Sequence, residues 1–329
     1  MTYLGAACFL VAALVPSLPG FVLMTVAAST ATMAAVPLLT QMFQENYPDS
    51  ERGSRFSRTV MIRIATAAFF SWLAGRFLST GIGRFPAVLV VYAAALALSG
   101  RWLSRIPGTP LTRKGGTNPF RAFRYVVTDR VFRVTLISWM LMGMGNLMMF
   151  PLRVEYLANP KYGMAMPAAA IALLTGVIPN VSRFFMVSIW GWLFDRMNFF
   201  MMRVVLNTGF AIGILSFFTG DSYFWLVTAA VVFGISNAGG DVAWSLWVTK
   251  LAPPSRVADY MSVHTFLNGL RSAIGPLIAF YFVTRWPIGL LGWISVGLIV
   301  AASLMLIPDA IAGMPARRTA GRIVEEEPD

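Results

Sequence analysis

The chain has 329 residues, 57% of them hydrophobic and 12% charged, with a mean hydropathy of +0.69. A soluble domain carries about 25% charged residues, so this composition excludes an ordinary aqueous fold and suits a bilayer. The net charge of +12 sits in short loops between apolar blocks, which points away from nucleic acid and toward a membrane partner.

Ten apolar stretches follow one another, at roughly 3–18, 20–43, 57–79, 86–105, 133–157, 167–190, 200–218, 222–249, 260–284 and 287–307. Each is read as a membrane-spanning helix. Met1 to Leu18 has no basic leader region and runs straight into the next apolar block, so it reads as a helix rather than a cleaved signal. Pro16, Pro19, Gly20, Pro160, Pro167, Pro253 and Pro254 mark the breaks. The lone Cys8 and lone His264 exclude an intrachain disulfide and a multi-histidine metal site, and no cofactor motif is present.

Eighteen lysines and arginines fall in loops on one side of these helices and five on the other; Arg63, Arg183 and Arg271 lie inside helices. The first side, which carries Arg52, Arg101, Arg121, Arg196, Arg203, Lys250 and Arg317, is therefore read as cytoplasmic, with both termini inside a bacterial-type inner membrane. Residues 1–105 form a first half of four helices and 133–308 a second half of six. Residues 106–132 form a cytoplasmic linker and 309–329 a disordered tail ending in Glu325, Glu326 and Glu327. In the linker, Asn118 and Pro119 read as a helix start. Phe120, Phe123 and Val127 then follow at helical spacing beside Arg121 and Arg124. That fits a short interfacial helix, with a plain solvated linker as the alternative.

A shift of 205 residues superimposes two loops and three helices without a gap: Pro48 falls on Pro253, Ser50 on Ser255 and Ser57 on Ser262. Repeats of this kind build many secondary transporters. Under the shift the partners of 133–157 and 167–190 fall before Met1, so two helices of the first half are expected to be missing.

After the sixth stretch the chain reads Gly191-Trp192-Leu193-Phe194-Asp195-Arg196-Met197-Asn198. This resembles the loop signature of the major facilitator superfamily, G-x-L-x-D-R-x-G, in its second copy. Gly191, Leu193, Asp195 and Arg196 match; Asn198 replaces the usual glycine, with a side chain that tolerates left-handed geometry. Phe199 and Phe200 replace the expected basic residues. The loop at Pro48, Arg52 and Gly53 is similar to that family's loop between helices four and five. The resemblance implies an all-α, two-half bundle with a solute site between the halves. It also implies that Asp195 helps latch the halves at the cytoplasmic side.

A charge in the bilayer is costly and usually faces a partner or a watery cavity. His264, Asn268 and Arg271 share one helix face, and the 205-residue shift lays them on Thr59, Arg63 and Thr66. Asn237 and Asp241 share a face with Trp244, with Asp241 about 12 Å deep at about 1.5 Å per residue. Asp241 is expected to pair with Arg183 or Arg271. Arg63, Arg183, Asn237, Asp241, His264, Asn268 and Arg271 are thus candidate substrate or coupling residues around a central cavity, with structural helix–helix bonding as the alternative. Met140, Met142, Met144, Met148 and Met149 suit either a promiscuous apolar cavity or lipid-facing filler.

The expected function is secondary active transport of a small solute by alternating access, with a proton as the candidate coupling ion and a monomer as the expected state. Gly234-Ile235-Ser236 is a fragment of a serine-hydrolase motif for which His264 could serve as base, but Ala238 stands where its last glycine belongs. An intramembrane serine hydrolase and a non-transporting scaffold are the alternatives.

Overall fold

The computed structural model describes residues 1–15, 17–79, 82–108, 120–220 and 222–312. Asn118, Pro119 and the tail from Gly313 onward, on which two sequence expectations rest, lie outside these residues.

Long helices fill the described chain. They are α1 (Thr2–Leu14), α2 (Leu18–Asn46), α3 (Arg52–Ser79), α4 (Phe85–Leu103), α5 (Arg130–Ala158), α6 (Ala169–Arg196), α7 (Phe199–Thr219), α8 (Tyr223–Leu246), α9 (Val257–Val283) and α10 (Ile288–Leu304). Among the described residues, eight segments are long and apolar enough to cross a bilayer, whereas α1 and α10, with 13 and 17 residues, are shorter. All ten expected stretches are helical. The main boundary difference is α1, which stops at Leu14 because Ser17 and Pro19 already open the next helix.

Local chemistry sets the ends and bends. Asp129 caps α5 by accepting from the Phe132 amide at 2.9 Å. Arg52 is almost fully buried and donates to the carbonyls of Phe43, Gln44 and Tyr47, which closes the C-terminus of α2. A π-turn at Leu173–Val177 widens α6 just before Pro179, whose ring crowds the preceding turn and whose nitrogen cannot donate. The linker segment folds as a 3₁₀ turn, Arg121–Phe123, running into a short helix, Arg124–Thr128. It docks on α9, with Phe123 5.7 Å from Phe266 and Tyr125 stacked at 4.6 Å on Tyr260.

The helix ends carry the 205-residue register. Arg52 at the start of α3 shifts onto Val257 at the start of α9, and Leu14 at the end of α1 onto Thr219 at the end of α7. Packing follows the same correspondence: α1 lies against α2 and α4, and α7 against α8 and α10. In the second half α5 packs against α9 and α10, and α8 against α6 and α7, around a core that includes Phe132, Leu136, Leu206, Ile214, Phe217 and Trp247. The hydroxyl of Ser138 donates to the Ala302 carbonyl at 2.8 Å, and Asn207 donates to Ser303 at 3.0 Å, so polar groups also tie the apolar helices together. The first half has a smaller buried cluster around Phe9, Ala28 and Ala93.

The halves meet where α3 runs along α6 and the last turns of α2 run along α9. Hydrogen bonds between the halves cluster in the stretch from Met61 to the arginine-rich end. Thr40 reaches the Ser245 carbonyl, Gln41 the Pro254 carbonyl and the Ala258 amide, Gly53 and Ser54 reach Asp195, and Ser188 reaches Met61.

Candidate functional site

The signature loop closes the basic end. Asp195 accepts from the Gly53 amide at 2.6 Å, the Ser54 amide at 2.8 Å and the Ser54 hydroxyl at 2.7 Å, placing a carboxylate on the N-terminus of α3. The approach requires bare backbone on both sides. A Cβ on Gly53 would lie 2.4 Å from the Gly191 carbonyl oxygen, and one on Gly191 would lie 2.6 Å from that of Gly53. Leu193 packs against the core, and Arg196 is exposed over the Trp192 ring. Asn198 is not left-handed. With φ −57° it caps α7, accepting from the amides of Phe200 and Met201, which explains an asparagine in the glycine's place.

Deeper in, a cavity of about 290 Å³ opens among α5, α7, α8 and α9. Asp241 projects from α8 at its wall. Arg183 of α6 grips this carboxylate with two bonds, Nε at 2.5 Å and Nη2 at 2.8 Å. Arg63 of α3 reaches it from the other half, with Nη2 at 3.6 Å. Gly239 and Gly240 leave α8 unbroken. Gly239 serves close packing, since a Cβ there would lie 2.3 Å from Leu206 and 2.8 Å from Trp190.

Arg271 of α9 lines the same cavity but makes no ion pair with Asp241. Its guanidinium donates to the Trp139 carbonyl and to the side chain of Asn268, and its Nε has no partner. Gly143 makes room for it: a Cβ there would fall 1.8 Å from Nη1. Asn237 lines the cavity and donates to the Phe233 carbonyl at 2.9 Å. The rest of the wall is Trp139, Phe150, Phe210, Phe233 and Trp244, with Met142, Leu147, Gly240 and Asn146, whose amide donates to the Met142 sulfur at 3.1 Å while its buried Oδ1 has no partner.

The geometry thus brings Arg63, Arg183, Asn237, Asp241 and Arg271 to one place, with Asn268 touching Arg271. His264 is placed behind the wall. It is fully buried, with the rings of Trp139, Trp244 and Trp247 at 5.6, 5.5 and 5.3 Å and no hydrogen bond on either nitrogen. Ser236 is buried against Gly209 and shares no hydrogen bond with His264 among the described residues. Met142 lines the cavity, while Met148 and Met149 are buried in the core rather than facing lipid.

Arg203, read from the sequence as a cytoplasmic loop cation, and Arg153, one of the five cations read on the opposite side, belong to this region instead. Arg203 is fully buried with its guanidinium 3.4 Å over the Trp139 ring. Arg153 is buried between Phe150 and Phe233, at 4.4 and 4.1 Å. The aromatic residues around them were the available signal, because a cation near a helix end can fold back onto rings instead of reaching water.

The profile of the Major Facilitator Superfamily matches residues 1–276, and the chain belongs to that family. Among curated proteins, none matches it in sequence. The fold is similar to that of the human organic anion transporter MFSD10 (TETRAN), with a TM-score of 0.74 at 15% identity, covering 93% of this chain and 75% of that one. It is also similar to the transporter FucP in its outward conformation (TM-score 0.68, 14% identity, 92% and 79% covered). A bacterial homologue of the iron transporter ferroportin in its outward-facing state gives TM-score 0.66 at 16% identity, with 93% and 82% covered. Family and fold together define an all-α, multi-pass membrane transporter with a two-half bundle of about ten helices. Members of this family bind small-molecule substrates within the bilayer and are typically carriers rather than enzymes.

Proposed function

We propose that the chain is a secondary active transporter that moves a small solute by alternating access between its two halves, 1–105 and 133–308. The observation that carries the reading is the Arg63–Asp241–Arg183 bridge. A carboxylate at the cavity wall is held by one half and touched by the other, so its surroundings change whenever the halves part. The cluster of hydrogen bonds between the halves at the basic end, with Arg63–Asp241 as a deeper contact, supports a state closed on that side. The charge bias of the loops makes that side cytoplasmic in a bacterial-type inner membrane, with both termini inside. A proton is the proposed coupling ion, and Asp241 its carrier.

The test is accumulation. Proteoliposomes holding the chain and a mixture of small organic solutes are given a pH gradient, and the retained pool is measured by mass spectrometry. A solute should move against its gradient in wild-type vesicles and not in Asp241→Asn vesicles. No gradient-dependent movement of any solute would remove the transport reading.

A further inference from the structure

We infer that the cavity takes an organic anion: a small molecule with one acidic head group and an apolar or aromatic body. The inference rests on the proposed solute site and names the chemical class that the site selects.

The first ground is charge. Asp241 is the acid at the cavity wall, and two arginines already share its single negative charge. Arg271 adds a third cation whose partners are a carbonyl and an amide, both neutral. Behind the wall, Arg203 lies on the Trp139 ring and Arg153 between Phe150 and Phe233. Trp139, Phe150 and Phe233 all line the cavity, so both of these charges lie directly behind its lining. Among the described residues no carboxylate forms an ion pair with Arg153, Arg203 or Arg271. The nearby Glu155 is engaged by Lys161 at 3.6 Å.

Buried cations without counter-charges are costly in a low-dielectric interior, and an anionic ligand is what relieves that cost. A cationic solute would meet only a carboxylate that two arginines already neutralise. A neutral solute would leave the excess positive charge in place.

The second ground is position. The Arg271 Nε is buried with no hydrogen-bond partner, on a residue that lines the cavity. Arg63 is more than half exposed and holds Asp241 only at 3.6 Å, so it can turn to a second anion. The remaining wall is mainly apolar, five aromatic rings with Met142 and Leu147, and its polar members Asn146 and Asn237 are uncharged amides, which suits an apolar body rather than a hydroxyl-rich one.

The test uses three probes that share a ring and differ in charge: 4-nitrobenzoate, 4-nitrobenzamide and 4-nitrobenzylammonium. The nitro group quenches tryptophan emission, and Trp244 lines the cavity. The chain is held in nanodiscs of neutral lipid, so the bilayer itself does not sort the probes by charge. The benzoate should quench at a concentration at least tenfold below that of the amide, with the ammonium weaker still. Trp244→Phe should remove part of the quench.

Arg271→Gln should abolish the tenfold preference and Arg271→Lys should keep most of it. If Arg271→Gln does not fold, the exposed Arg63→Gln supplies the same reading, with a preference cut several-fold. A Trp244-dependent quench that is equal for amide and benzoate, or strongest for the ammonium, overturns the anion assignment and leaves the cavity intact. A preference unchanged in both Arg271→Gln and Arg63→Gln overturns it as well. No Trp244-dependent quench by any probe overturns the solute site along with the inference.

Discussion

The carboxylate of Asp195 rests on the amide of Gly53 at 2.6 Å, joining two residues that lie 142 positions apart in the chain and in different halves of the bundle. Two further bonds to Ser54 make it a three-bond clasp on the first turn of α3.

Replacing that aspartate should loosen the basic end. Hydrogen bonds to charged groups contribute about 1.5–3 kcal/mol, so Asp195→Ala should shift the closed-to-open ratio at this end by roughly tenfold or more. A cysteine introduced at Ser57 should then react faster with a membrane-impermeant maleimide added from the side that the loops at Arg52 and Arg196 face. An unchanged rate would show that the clasp does not hold the closed state.

Gly143→Ala should displace Arg271, because the new Cβ would occupy the guanidinium's place. Overpacking of this kind costs about 1–3 kcal/mol, enough to move a side chain without unfolding a bundle. Solute movement per molecule should fall at least tenfold, whereas Gly297→Ala, with nothing within 4 Å of its Cβ, should behave as wild type. Equal activities would mean that Arg271 does not need its present position.

Asp241→Asn should abolish coupled movement while expression stays near normal. The amide keeps the volume and part of the bonding to Arg183, and it loses the charge that Arg63 and Arg183 share. Lower expression with unchanged movement per molecule would assign Asp241 a structural role.

The orientation is tested by reporters. A reporter fused after Arg317 should read cytoplasmic and one in the loop at Lys161 periplasmic. The reverse pattern would invert the charge-bias reading.

Much of this architecture is legible in the sequence because a bilayer imposes long apolar runs, and proline marks their ends. The ten helices, the 205-residue register and the Asp195 signature follow from that. The Arg183–Asp241 pair was among the two partners that depth alone allowed, since depth cannot tell helix neighbours apart. What composition could not reveal was direction across the bundle. Arg203 and Arg153 read as loop cations, yet both turn back onto rings. His264 shares a helix face with Arg271, yet three tryptophans from α5 and the α8 end enclose it while Arg271 reaches the cavity. Asn198 sits where a signature glycine belongs, and its capping role depends on a backbone angle that the residue type does not fix.

The unequal grip on Asp241 has an electrical consequence. The 2.5 Å bond to Arg183 lies within one half, and the 3.6 Å contact to Arg63 crosses between them. Any motion that parts the halves lets go of Arg63 first, so one lobe departs with that positive charge while Arg183, Asp241 and Arg271 stay with the other. A membrane voltage exerts force on a displaced charge of about 2.3 kcal/mol per elementary charge per 100 mV across the full bilayer. The swing of the first half would therefore sense the resting potential even when the cavity is empty.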